Sequence, residues 1–307
     1  EGWESHRHIR NIMIFLQSNN ISPAYASKIY NRYGAQTIDK LKSNPYRLIQ
    51  DIRGIGFIKA DQIAKKLGIG QESQDRVRAG IQYCLDDLIE KGHVFVPRSV
   101  LIEQTAAMLD LDADMVMEGL QFLTEGGWII SDEERVYRAD LYRIESQLAQ
   151  LLHRIIAKEL SVKGVVRADV EKMLADVERY RSIRFAQQQR EAVITAVLSN
   201  CMVLTGGPGT GKTTTILGMI DIFRKLKLTV LLCAPTGRAA KRLSEATGME
   251  ARTIHRLLEY DPFRGRFSRN ESTPLEAHVI IMDEASMVDT ILFADFLKAV
   301  SPSSKLI

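Results

Sequence analysis

Apolar positions along the chain follow two regimes. Up to about residue 180 they recur mostly at three- and four-residue intervals, the spacing of helices that bury one face. From Arg181 onward, short continuous apolar runs alternate with helical stretches, the pattern of a parallel sheet covered on both sides. Residues 201–205, 228–234 and 278–282 are the expected strands, and Ser304-Lys-Leu-Ile307 reads as the opening of another. A domain does not ordinarily stop there, so the sequence is expected to be cut inside a sheet.

The first seventy residues contain a repeat. Ile21-Ser22, Ala26 and Ile29 recur as Ile55-Gly56, Ala60 and Ile63, an offset of 34 residues at each position. Each copy reads as two short helices joined by a tight hairpin. In the second, Gly54-Ile-Gly-Phe57 lets backbone amides at a helix start approach a phosphate, with Lys59, Lys65 and Lys66 nearby. The first copy has Asn20-Ile-Ser-Pro23 and is the weaker match. The plainer alternative is a helical scaffold whose hairpins only turn the chain.

Val77, Ile81, Leu85 and Leu88 then outline an amphipathic helix, followed by a short strand at 93–97 and helical stretches at 102–108 and 115–123. Trp128-Ile-Ile and Val136-Tyr137 flank the polar Ser131-Asp-Glu-Glu-Arg135, a β-hairpin signal. Helices followed by a hairpin look like a winged-helix unit. Its acidic tip opposes phosphate binding and points to a structural or protein-contact role. Charged helical residues with a break at 161–164 read as a connection. The expected divisions are therefore 1–72, 73–142, 143–180 and 181–307.

Composition narrows this picture. At 307 residues and 45% hydrophobic content the chain fills the cores of about two domains. A formal charge of +3 is too mild to establish a polyanionic partner, so any nucleic-acid argument rests on where the basic residues lie. Cys84, Cys201 and Cys233 suit reduced core thiols, and His6 with His8 forms an isolated pair without further metal ligands. No apolar run approaches a membrane span and the first residues are no signal peptide, so the cytoplasm is the expected compartment.

The strongest chemical signal is Gly206-Gly-Pro-Gly-Thr-Gly-Lys-Thr213, set between a predicted strand and a predicted helix. Such a loop turns successive N–H groups onto phosphate oxygens, with the lysine reaching the outer phosphates and the following hydroxyl a divalent cation. Nucleotide contacts are expected from Gly207, Pro208, Gly209, Thr210, Gly211, Lys212, Thr213 and Thr214. The run at 278–282 delivers Asp283-Glu284 to the same edge of the sheet. Asp283 is expected to hold Mg²⁺ together with Thr213, and Glu284 to orient or deprotonate the attacking water. A glutamine amide one helix earlier, Gln189, suits the donor-acceptor edge of adenine.

These residues, with Ala234-Pro-Thr-Gly-Arg-Ala-Ala240, Arg252-Thr-Ile-His-Arg-Leu-Leu258 and Ile280-Ile-Met-Asp-Glu-Ala-Ser-Met287, occur in the order and spacing of the first half of a superfamily 1 helicase motor. The chain resembles the RecD-like branch. Its N-terminal repeat resembles a tandem helix-hairpin-helix module, as in the long stand-alone bacterial form similar to the exodeoxyribonuclease V alpha subunit. The resemblance implies an α/β fold: a truncated P-loop RecA-like parallel sheet preceded by a mainly α-helical helix-hairpin-helix and winged-helix-like region. It implies ATP and Mg²⁺ as cofactors, with Lys212, Asp283 and Glu284 catalytic. It further implies single-stranded DNA and single-strand/duplex junctions as partners, 5′ to 3′ translocation, and repair or recombination proteins nearby.

Pro235, Thr236, Arg238, Thr253 and His255 are carried over as single-strand contacts, beside Gly54, Gly56 and Lys59 of the second hairpin. His255 also fits a structural histidine, and residues 261–270 a solvated connection. The second motor domain and its arginine finger lie outside this sequence, so the polypeptide alone is expected to bind nucleotide and hydrolyse it poorly. Two rival readings are a nucleotide-switched regulatory module and a DNA-tethering protein, neither with unwinding activity.

Overall fold

The computed structural model describes residues 2–158, 162, 164–207 and 209–307, with side chains from Ile9 onward. Two compact units divide between Tyr142 and Arg143. The first unit begins with α1 (Gly2–Ser18) and α2 (Pro23–Tyr33). Pro23 opens α2, where its fixed φ suits a helix start and its missing N–H costs nothing. The short helices α3 (Thr37–Ser43) and α4 (Leu48–Asp51) lead to α5 (Phe57–Lys66). The repeat seen in the sequence is a repeat of core positions. Ile21, Ala26, Ile29, Ile55, Ala60 and Ile63 all lie in one buried cluster, each fully buried aliphatic contributing about 1.5–3 kcal/mol.

The two hairpins also match in backbone. Asn20 and Gly54, 34 residues apart, both occupy positive φ, at 62° and 98°. Asparagine tolerates this region better than other side chains, so the first hairpin keeps the turn without the glycine. The sequence alone undervalued that copy.

A buried ionic junction ties α5 to α6 (Gln74–Glu90). Arg76 Nε donates to Asp61 Oδ1 at 2.8 Å and its Nη1 donates to the Leu109 carbonyl at 3.0 Å, while Tyr46 Oη donates to the same Asp61 oxygen at 2.8 Å. Burial acts to raise the Asp61 pKa, but hydrogen bonds from Arg76, Lys65 and Tyr46 prevail and hold it below the usual carboxylate range. Around α6 pack α7 (Arg98–Leu109) and α8 (Ala113–Glu125). Three antiparallel strands in the order β1-β3-β2 complete the unit: β1 (Val96–Pro97), β2 (Ile129–Asp132) and β3 (Arg135–Arg138).

The second unit holds a parallel sheet in the order β5-β4-β8-β9. Its strands are β4 (Val230–Ala234), β5 (Ala251–Thr253), β8 (Val279–Met282) and β9 (Lys305–Leu306). Between β5 and β8 stand α14 (Ile254–Leu257) and a separate two-stranded hairpin, β6 (Tyr260–Asp261) with β7 (Arg266–Phe267). That hairpin organises the connection expected at 261–270, whose turn at 262–266 is exposed. Asp261 Oδ1 accepts the N–H groups of Phe263 and Arg264 and closes the turn locally, leaving Phe263 exposed at its tip.

Helices α11 (Gln187–Leu198), α12 (Lys212–Lys225), α13 (Gly237–Thr247) and α15 (Thr290–Ala299) cover the sheet. The helices expected to connect the halves pack into the same cores. α9 (Ala139–Ile156) contributes Leu151 and Ile155, and α10 (Arg167–Arg181) contributes Val170, Leu174 and Val177.

The strand expected at 201–205 is reduced to one bridge, Cys201 to Leu306. Met202 N–H still donates to the Leu306 carbonyl at 2.9 Å. Beyond that bridge Val203 is exposed.

Candidate nucleotide site and nucleic-acid interface

Strand register fixes which residues share an edge. Cys201 lies level with Leu306, Leu306 with Ile280, and Ile280 with Leu231. Three residues further along each strand come Leu204, Asp283 and Ala234, and Ala234 pairs with Thr253. The glycine loop, Asp283, Pro235 and Thr253 therefore leave the sheet along its carboxyl edge, where open α/β sheets bind ligands.

The loop is folded onto itself. Lys212 Nζ donates to the Gly206 carbonyl at 2.5 Å, and Thr210 Oγ1 donates to the Gly207 carbonyl at 2.8 Å. Gly209 and Gly211 adopt φ of 76° and 81°, which side chains rarely tolerate. A Cβ on Gly211 would also run into the Gln189 amide. Lys212 and Thr213 open α12, with Thr214 following in its first turn, so the helix dipole points at the loop. Gly207 is exposed, and Pro208 lies outside the described residues.

Gln189 is already engaged. Its Oε1 accepts the Ala186 N–H at 2.9 Å, and its Nε2 donates to the Thr210 carbonyl at 3.2 Å. The amide thus caps α11 and braces the glycine loop. At the other end of α11, Lys305 Nζ donates to the carbonyls of Val197 and Ser199 at 2.8 and 2.7 Å. Lys305 is completely buried, and burial pushes its pKa down to about 8. Sequence reading passed over this residue; a lysine inside an apolar strand run was the available signal.

Asp283 N–H donates to the Cys233 carbonyl at 2.9 Å, and Asp283 Oδ1 accepts the Glu284 N–H at 3.0 Å. Glu284 sits at φ 55°, an uncommon conformation for its type that turns it out of the strand line. A hydroxyl and a carboxylate are hard oxygen donors of the kind Mg²⁺ takes alongside phosphate and water, and this sheet edge carries one of each at Thr213 and Asp283.

Further along the edge, Thr236 Oγ1 accepts the Ala239 N–H and Thr253 Oγ1 accepts the Arg256 N–H, both at 3.2 Å. Both hydroxyls therefore cap helices, α13 and α14. Pro235 is partly buried and Arg238 is exposed on the first turn of α13. The exposed His255 ring packs against Tyr260 and Phe267, with centroids 5.7 and 5.6 Å away.

In the first unit, Tyr25 was not foreseen. Its hydroxyl donates to the Gly54 carbonyl at 2.8 Å and accepts from Lys59 Nζ at 2.9 Å, and Lys59 also lies 4.7 Å from the Tyr25 ring centroid. The hydrogen bond from Lys59 lowers the Tyr25 pKa. Tyr25 and Lys59 occupy matching positions of the two repeats, so the 34-residue offset contained the signal. Lys59 thus belongs to the hairpin scaffold. Gly56 faces open space, and a groove of about 730 Å³ runs past both hairpins, lined by Asn20, Ser22, Lys59, Lys65 and Lys66. His6 and His8 lie outside the residues with described side chains. Among the described residues no cluster of metal-ligating side chains occurs, and no helix is long and apolar enough to cross a membrane.

A glycine loop opening a helix beside an acidic pair on one edge of a parallel sheet defines a nucleotide-binding P-loop domain. Residues 189–307 match the AAA domain family, and residues 5–95 match the ATP-dependent RecD2 DNA helicase HHH domain. The ATP-dependent RecD2 DNA helicase of Deinococcus radiodurans is 29% identical over 99% of this chain and 43% of its own length. RecBCD enzyme subunit RecD of Haemophilus influenzae is 36% identical over 39% of the chain and 22% of its own. ATP-dependent DNA helicase dda of Enterobacteria phage T4 is 36% identical over 33% of the chain and 24% of its own. The chain is thus similar to RecD-like proteins over its N-terminal region and its P-loop domain. It spans less than half the length of these curated relatives.

Proposed function

We propose that the protein containing this chain is an ATP-dependent DNA helicase that translocates along single-stranded DNA. The observation that carries this reading is the common edge, where the glycine loop and Asp283-Glu284 stand in line with the turns led by Pro235 and Thr253. Lys212 gives up its contact with the Gly206 carbonyl to take the outer phosphates of ATP. Thr213 and Asp283 would hold Mg²⁺, which would supply charge compensation for the transferred phosphoryl group. Glu284, turned out by its left-handed backbone, orients the attacking water and accepts its proton. Gln189 keeps one N–H and one lone pair beyond its bonds to Thr210 and Ala186, and these suit the edge of adenine beside the glycine loop.

Pro235, Thr236, Arg238, Thr253 and His255 then face single-stranded DNA at the same edge, so closing on ATP and gripping DNA share one set of strand ends. The hairpin amides at Gly54 and Gly56, with Lys65 and Lys66, take backbone phosphates of the flanking DNA. A partner in repair or recombination fits such a role. Glu284→Gln in the full-length protein is the test. ATP binding should persist while turnover falls by about 10² or more, the usual scale for losing a general base. Normal turnover in that variant would remove Glu284 as the base.

A further inference from the structure

Charge is distributed unevenly along the chain. Residues 1–72 hold eleven Lys and Arg against six Asp and Glu, whereas residues 73–142 hold six against fourteen. The acidic stretch forms α6, α7, α8 and the antiparallel sheet, and it supplies most of the lining of a groove of about 670 Å³, whose other wall comes from residues 44–50 and from Gly56 and Phe57. Tyr83, Phe122 and Trp128 line that groove, and all three are exposed, Trp128 by 54%. A second groove of about 380 Å³ adjoins it, sharing Arg78 and Phe122 and rimmed by Glu118 and Glu125. The two linings together present seven carboxylates and three arginines.

Two of the three arginines are committed internally. Arg138 bonds to Asp140 and Asp86, at 2.6 and 3.2 Å. The Arg78 guanidinium lies 3.3 Å from the Phe122 ring centroid, so a ring of this groove already holds a cation on its face. Glu90 lines the groove, is exposed, and has no ion-pair partner among the described residues.

We infer that this groove docks a basic, apolar-rich peptide segment of a partner protein. Aromatic faces receive the partner's aliphatic side chains or a guanidinium, and the carboxylate surplus supplies the complementary field. The same surplus repels nucleic acid. The sheet's tip, Asp132-Glu-Glu134, adds to that repulsion. The inference does not depend on nucleotide binding.

The test uses the 307-residue chain and a fluorescent peptide of about eight alternating arginines and leucines, which extends to roughly 25 Å. Anisotropy should report binding that weakens with salt, and Trp128→Ala and Glu90→Lys should each weaken it about tenfold or more. Trp128→Phe should retain most of the affinity, which separates loss of the ring from loss of the fold. A peptide with glutamate in place of arginine should not bind. Equal binding of both peptides, or indifference to both substitutions, overturns the proposal. Self-association of the chain that Glu90→Lys abolishes also overturns it, because the occupant is then the basic region of a second copy.

Discussion

Lys305 shows what a single side chain contributes to the motor unit. It is an ammonium with no exposed surface, held by two carbonyls at the end of α11, whose other end braces the glycine loop through Gln189. Its pKa lies near 8 in the folded chain, below the ordinary 10.5. Between those values the unfolded state binds more protons, so stability from this group is least below pH 8 and grows as pH rises towards 10.5. The stability of wild type relative to Lys305→Met should therefore increase between pH 7 and pH 10, by about 2 kcal/mol at 1.36 kcal/mol per unit. Urea unfolding at several pH values measures it, and a constant difference would contradict the assignment. Asp61 makes the converse case, since removing it leaves the buried Arg76 without its carboxylate. Asp61→Ala should cost the first unit about 3–5 kcal/mol in the same measurement. The partners of neither residue were legible in the sequence, because they lie more than a hundred residues away for Lys305 and across a fifteen-residue return for Asp61. The placement of the glycine loop and Asp283-Glu284 at one sheet edge was legible, since each follows directly on an apolar run.

Elements were readable where local periodicity and tertiary packing agree. The paired hairpins of the first unit follow from a repeat that buries the same positions twice, and Asn20 shows that a turn survives without glycine when another residue accepts positive φ. The run at 201–205 misled because its strand assignment depends on how much of a neighbour it can pair with. The hairpin at 260–267 went unforeseen because its strands are two residues each and its closure rests on one aspartate. Gly56 gives a test at this scale. It has extended backbone and open space around a built Cβ, so a longer side chain is accommodated there. Gly56→Glu should leave folding intact and weaken DNA binding at low salt by about tenfold, since it sets a carboxylate against phosphate at the helix start. Unchanged affinity would return that hairpin to a turn.

Over the whole chain, function follows the division of charge and of edges more closely than net composition. A formal +3 conceals a basic repeat, an acidic groove and a sheet edge that gathers the glycine loop, Asp283-Glu284 and the turns after β4 and β5. The mild overall charge therefore said little about partners, and the placement of residues said more. The two ends of α11 tie the nucleotide loop to β9 within the motor core, so loop opening and helix position are coupled through bonded groups. The most direct measurement is ATP turnover by the full-length protein with and without single-stranded DNA, with Lys212→Ala as the comparison. The account predicts turnover that rises strongly with DNA in the wild type and is abolished by Lys212→Ala. Turnover indifferent to DNA, or retained without Lys212, would contradict it.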